Sequence, residues 1–240
     1  MPTFEVLYED NAIFGVSKPA GLLTQAPPGI DSLEQQIKDL IKHRDAKGGR
    51  VYLGVPHRLD RPVSGAMVFA KHSRAARLIS KQFERRDVEK IYWACTQGTV
   101  EPAEGTWRDY IRKIPGEPKA QIVAEDDPEA RLGVLHYRTL GASAFGSWLE
   151  IRLETGRTHQ VRIQSSSRGW PLVGDSYYGA TTLFGEPFDD ERMRAIALHA
   201  RSLTFAHPLG RRRMTLTAAV SQAWLDIGLP EWAIRSVAVV

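Results

Sequence analysis

One nine-residue segment of this 240-residue chain concentrates side chains that could run a reaction: His57-Arg58-Leu59-Asp60-Arg61-Pro62-Val63-Ser64-Gly65. A single carboxylate, Asp60, lies among three potential cations, His57, Arg58 and Arg61. Nearby positive charge favours the ionised form, so Asp60 suits a nucleophile, or an electrostatic stabiliser of a cationic centre, better than a proton donor. Prolines 56 and 62 mark the stretch as a loop between two apolar runs, 51–55 and 65–70, a setting in which chemistry often sits. Taken alone, a surface Asp–Arg ion pair in a turn explains the same residues better.

Two further clusters carry chemically useful groups. Gly156-Arg157-Thr158-His159-Gln160-Val161-Arg162 follows a strand predicted to end near Leu153 and reads as the opening of a helix with Thr158 near its start, which would stack Thr158 against Arg162. Backbone donors there, with two arginines, suit an anion: a phosphate or the Asp60 carboxylate. Helix capping with a solvated basic face is the plainer account. In Lys90-Ile91-Tyr92-Trp93-Ala94, strand alternation sends Lys90, Tyr92 and Ala94 to one face and Ile91 and Trp93 to the other. A phenol beside an ammonium could stack on a nucleobase or exchange a proton, although a strand aromatic is more often core.

Several chemistries lack their signatures. There is no Gly-x-Gly-x-x-Gly, phosphate-loop lysine, His-Glu-x-x-His or Gly-x-Ser-x-Gly, and the one cysteine, Cys95, can form neither an internal disulfide nor a thiolate zinc cage. No metal site and no cofactor are expected, and the cysteine usage points to a reducing, cytoplasmic setting. The amino-terminal stretch has neither a basic start nor a sustained apolar run, so export and membrane insertion are not expected. A formal charge of +4 is compatible with a polyanionic partner without requiring one.

The elements that must position these residues follow from pattern. With 42% hydrophobic and 25% charged residues the chain is an ordinary folded protein of one large or two small domains. Runs 4–8 and 12–17 around Glu9-Asp10-Asn11 predict a hairpin, broken by Lys18-Pro19-Ala20-Gly21. Ser32 with Gln35 predicts a capped helix running to about His43, and 46–50 reads as an exposed connector. Ser73 is the predicted cap of a second helix. Strands are expected at 88–97, 107–112, 120–124, 134–140 and 147–153, then at 197–205 and 213–218 around a turn at 207–210, with a short amphipathic segment at 224–234. The class is α+β, with helices decorating a mostly antiparallel sheet.

Read together and in order, the clusters resemble the RluA-type pseudouridine synthases, which convert uridine in structured RNA to its C-glycosidic isomer. His57-Arg58-Leu59-Asp60 with Ser64-Gly65 resembles the family's HRLDxxTSG segment, residues 90–94 its KxYxA strand, and 156–162 its GRTHQ(I/L/V)R segment. Lys18-Pro19-Ala20-Gly21 and Leu198-His199-Ala200 resemble its KPxG loop and late LHA strand, so the likeness spans about residues 4–218. Val63 departs from the usual threonine, which removes a loop hydroxyl without touching Asp60.

The resemblance implies a mixed, mostly antiparallel sheet with peripheral helices and a central active-site cleft, the pseudouridine synthase fold. It implies a single catalytic domain over 1–240 without the amino-terminal S4-type module of many members. Asp60 would be the essential carboxylate, Tyr92 would lie against the target base, and Arg162 would pair with Asp60. Arg58, Leu59, Lys90, Arg157, His159 and Leu198 would contact substrate. The implied partner is rRNA or tRNA, with no DNA, membrane or cofactor, and the chain would act as a monomer. An RNA-binding or folding factor without catalysis is the alternative, separable by substituting Asp60. A glycosidase or nucleosidase would need a second acid, and none of the three clusters contains one besides Asp60.

Overall fold

Asp10 closes the first turn. Its Oδ1 accepts from the amides of Ala12 and Ile13 at 2.8 and 2.9 Å, and the chain reverses into an antiparallel hairpin of β1 (Glu5–Glu9) and β2 (Ile13–Lys18). The computed structural model describes residues 3–46 and 48–234. After the hairpin come α1 (Leu33–Arg44), β3 (Ser64–Ala70), α2 (Ser73–Arg85), β4 (Glu89–Cys95), β5 (Glu104–Lys113), β6 (Ala120–Val123), β7 (Arg131–Ala142), β8 (Ser147–Leu153), α3 (Gln160–Ser166), β9 (Leu198–Ala206), β10 (Arg213–Thr217) and α4 (Gln222–Asp226). The strands join in one sheet of order β1-β2-β3-β9-β4-β8-β7-β5-β6, with β10 paired to β9. Only β3 and β9 run parallel; the other described pairs are antiparallel. This is the expected α+β class, a mixed and mostly antiparallel sheet with few helices.

Alternation in β2 and β3 supplies both faces. Phe14, Val16, Met67 and Phe69 pack with Leu33, Ile37 and Ile41 of α1, while Ile13, Ala66, Val68 and Ala70 pack with Ala75 and Ile79 of α2. Each fully buried large aliphatic or aromatic side chain contributes roughly 1.5–3 kcal/mol, which holds the helices against the sheet.

The helix starts differ from expectation at two places. His72, in extended backbone, caps α2 by accepting the Ala75 amide at its Nδ1, so Ser73 is the first helical residue rather than the cap. His159, at φ 53°, is the cap residue of α3, so Thr158 lies outside the helix and has no helical stacking on Arg162. The apolar run 51–55 contributes one bridge, Gly54 to Ala70.

The parallel contact positions the site. Ser64 and Gly65 at the start of β3 register with His199 and Ala200 at the start of β9, and a Cβ on Gly65 would fall 2.3 Å from the Ala200 carbonyl oxygen, so a side chain there would block the pairing. The Ser64 hydroxyl donates to His199 Nδ1 at 2.8 Å, and Nε2 donates to the Ala218 carbonyl at 3.1 Å. Burial pushes this imidazole down to about 4, so it is neutral. Because β9 separates β3 from β4, the loop leading into β3 is brought beside the middle of β4.

Candidate active site

The loop carrying Asp60 is fastened through its backbone. The Leu59 carbonyl accepts from Thr24 Oγ1 at 2.9 Å, and the Leu59 amide donates back to that hydroxyl at 3.2 Å. The Arg61 carbonyl accepts from the Gly21 amide at 2.8 Å and from Lys18 Nζ at 3.3 Å. Lys18 is fully buried and also donates to the carbonyls of Pro19 and Leu22, so the Lys-Pro-Ala-Gly loop clamps the segment from behind. Burial pushes the Lys18 ammonium down to about 7, while the Asp60 charge pulls the other way. Val63 is buried in the core, where an apolar side chain fits.

The groups that contact the Asp60 carboxylate come from outside its own segment. His57 stacks on Phe83 and accepts the Val68 amide at Nε2, and burial pushes it down to about 3, so it is neutral and structural. Arg61 turns its Nε to the Gly21 carbonyl at 2.8 Å. Instead Arg162 Nη1 and His159 Nε2 approach the same oxygen, Oδ2 of Asp60, at 3.6 and 3.5 Å.

The expected Arg162–Asp60 pair is therefore the weaker half of a larger arrangement. Arg162 forms a bidentate pair with Asp175, Nε to Oδ2 at 2.7 Å and Nη2 to Oδ1 at 2.8 Å, with the Asp175 side chain 1% exposed. Burial works against the Arg162 charge, and the hydrogen bonds and charge of Asp175, with Asp60 adding, more than restore it. One guanidinium between two carboxylates leaves the trio one negative charge. Asp175 is sealed, so that charge is presented by Asp60, whose side chain is 23% exposed.

Asp60 opens into a hollow of about 390 Å³, within the range of roughly 300–1,000 Å³ usual for ligand sites. Tyr92, Arg58, Leu59, Arg157, His159 and Leu198 line it with Asp60 and Arg162, which brings together all the residues named from sequence except Lys90. Lys90 lies beside the hollow: its Nζ is 3.4 Å from the Thr155 carbonyl, and burial, then Arg86 and Arg157, push it down to about 8. Burial and then the Asp60 charge raise the Tyr92 phenol well above its ordinary value, so it stays protonated and serves as a stacking face or hydrogen-bond donor rather than a base. Among the described residues lining the hollow, Asp60 is the one carboxylate.

Sequence reasoning missed four contributors. Lys113 and Pro118, from the β5–β6 hairpin, complete the wall. Asp175 holds Arg162, and Tyr178 contacts His159. Asp175 stands alone between Gly174 and Ser176, without the charge pattern that singled out Asp60.

The sheet order gathers the motif segments where β3, β9 and β4 meet. The family model described as RNA pseudouridylate synthase matches residues 13–167, and the chain belongs to that family. It is 33% identical to tRNA pseudouridine synthase C of Pasteurella multocida, over 98% of this chain and 99% of that one. It is 32% identical to an uncharacterized RNA pseudouridine synthase of Synechocystis, over 89% of this chain but 64% of the relative, so the chain spans under two thirds of that protein's length. Human RNA pseudouridylate synthase domain containing 4 has the same fold, with a TM-score of 0.75 over 92% of this chain and 90% of that one, at 22% identity.

Proposed function

We propose that the chain isomerises uridine to pseudouridine in structured RNA, a tRNA or rRNA, without a cofactor. The observation that carries this reading is a single carboxylate, Asp60, in a nucleoside-sized hollow beside a protonated Tyr92, with its neighbour Arg162 already engaged by Asp175. The reaction breaks N1–C1′, turns the uracil and joins C5 to C1′. C5 loses its proton to solvent, and N1 gains one. Positive charge develops at C1′ on the way, and a carboxylate held there without full neutralisation by Arg162 stabilises it. Hydrolysis of the same bond would call for a second carboxyl group to work with water, and the lining offers Asp60 alone among the described residues.

Reaching C1′ requires the nucleotide to leave its stack, at a cost of a few kcal/mol. Tyr92 offers a face for the everted base, with Leu59 and Leu198 as its apolar surround, and Arg58, Arg157, His159 and nearby Lys90 suit the flanking phosphates and sugar. Every group invoked comes from one chain, so the reading needs no second copy.

The test is release of tritium from C5-labelled uridine in tRNA and rRNA transcripts by the wild type and by Asp60→Asn. Turnover in the wild type and a loss of at least about a hundredfold in the variant are expected, comparable to removal of a principal electrostatic group. Undiminished turnover by the variant would refute the assignment, and RNA binding without turnover in both would favour a folding factor.

A further inference from the structure

His159 is held from behind as well as facing Asp60. The Ala120 amide at the start of β6 donates to the Tyr178 hydroxyl oxygen at 2.9 Å, and that hydroxyl lies 2.9 Å from His159 Nδ1. The Tyr178 proton has two acceptors within reach, Nδ1 at 2.9 Å and the Ala120 carbonyl at 3.4 Å, and the shorter contact is the stronger. At the far side of the ring, Nε2 is 3.5 Å from Asp60 Oδ2, where a bare nitrogen lone pair would repel the carboxylate. Both ends of the ring thus call for the same tautomer, with the proton on Nε2.

We propose that Tyr178 is a positioning residue that fixes His159 as the Nε2–H tautomer and aims that donor at Asp60. The path is Ala120 N–H to Tyr178 oxygen, Tyr178 O–H to His159 Nδ1, and His159 Nε2–H toward Asp60 Oδ2. Arg162 approaches the same oxygen, which leaves Oδ1 the less encumbered one for the ribose. At 3.5 Å the final contact is longer than a well-formed hydrogen bond, as catalytic contacts often are without substrate. Tyr178 also edges the His159 ring at 5.7 Å and lies 5.0 Å from the Arg162 guanidinium. One short turn, 175–178, therefore orients both groups flanking Asp60, Arg162 through Asp175 and His159 through Tyr178.

The consequence for activity rests on the proposed reaction, but the tautomer can be read without it. In the full chain labelled with ¹⁵N-histidine, two-bond proton–nitrogen correlation spectra at pH 7.5 report which ring nitrogen carries the proton, with the His159 signals assigned by their loss in His159→Gln. The expected result is an unprotonated, hydrogen-bonded Nδ1 whose resonance moves in Tyr178→Phe. A protonated Nδ1 in the wild type, or an Nδ1 resonance indifferent to Tyr178→Phe, overturns the proposal whatever the enzyme turns over. In the tritium assay Tyr178→Phe should lower kcat about three- to tenfold with KM within about twofold, the size of one neutral hydrogen bond lost in the transition state. Introduced into His159→Gln, the same change should have less than about a twofold effect. An equal loss in both backgrounds would mean that Tyr178 acts by holding Ala120, and overturns the proposal. Should Tyr178→Phe fail to fold, the wild-type spectrum still decides. Wild-type turnover tests the reaction separately, so either reading can fall without the other.

Discussion

Removing the Asp175 carboxylate should damage stability and chemistry together, by amounts that follow from its geometry. Arg162 and Asp175 are 5% and 1% exposed at their side chains and share two hydrogen bonds of 2.7 and 2.8 Å. Breaking a buried pair by deleting one partner costs about 3–5 kcal/mol, because the remaining charge is left without compensation. For a chain of this size each kcal/mol lowers Tm by roughly 2–4 °C, so Asp175→Ala should melt about 6–20 °C below the wild type. Asp175→Asn keeps the shape but not the charge and should fall between the two. The surviving Asp60, 3.6 Å from Arg162 Nη1, is the nearest replacement partner. As Arg162 moves to it, the trio of net charge −1 becomes a neutral pair, and kcat should drop by at least about tenfold in molecules that remain folded. Thermal and urea unfolding followed by circular dichroism, with tritium release measured well below the variant's Tm, check both parts. A stability loss under about 1 kcal/mol would refute the buried-pair argument. A folded Asp175→Asn enzyme with undiminished kcat would refute the claim that Asp175 keeps the Asp60 charge available.

Two other outcomes follow from buried groups near the site. His199 is pushed from 6.5 down to about 4 by burial, so the unfolded chain takes up its proton first as pH falls; its contribution is full above 6.5 and is lost between 6.5 and 4, amounting to roughly 3 kcal/mol. His57, pushed down to about 3, acts in the same direction. Urea unfolding at pH 7 and pH 4.5 should show a smaller pH-linked loss in His199→Gln than in the wild type, and equal losses would contradict the assignment. Gly65→Ala should prevent close β3–β9 pairing and yield insoluble or strongly destabilised protein, since its Cβ would lie 2.3 Å from a backbone oxygen. Gly29→Ala, with a positive φ but open space around it, should cost only about 1 kcal/mol and serves as the control.

Most of the elements were legible because their causes are local. The Asp10 turn, the Ser32 cap whose hydroxyl accepts the Gln35 amide, and the alternation that sends Tyr92 toward the hollow and Trp93 into the opposite core depend on residues a few positions apart. The motif segments are local too, and it is their resemblance to the RluA-type synthases that singles out Asp60, Tyr92 and Arg162. His72 as the α2 cap and the late start of α3 were not legible, since histidine is a weak cap signal and the left-handed backbone at His159 is supported by contacts from elsewhere.

Which charges surround Asp60 was decided by tertiary structure alone. Adjacency along the chain suggests His57, Arg58 and Arg61; Arg58 does line the hollow, but folding buries His57 as a neutral acceptor and turns Arg61 to a carbonyl, while Lys18, His159 and Arg162 arrive from distant segments. Periodicity and capping patterns describe one element at a time and contain nothing about sheet order. Only once β9 inserts between β3 and β4, and the 175–178 turn packs behind α3, do Asp175 and Tyr178 acquire partners. Residue types settled what chemistry was available, and long-range packing settled which of those charges remains free to act, because electrostatic interaction depends on distance in space and on burial rather than on separation along the chain.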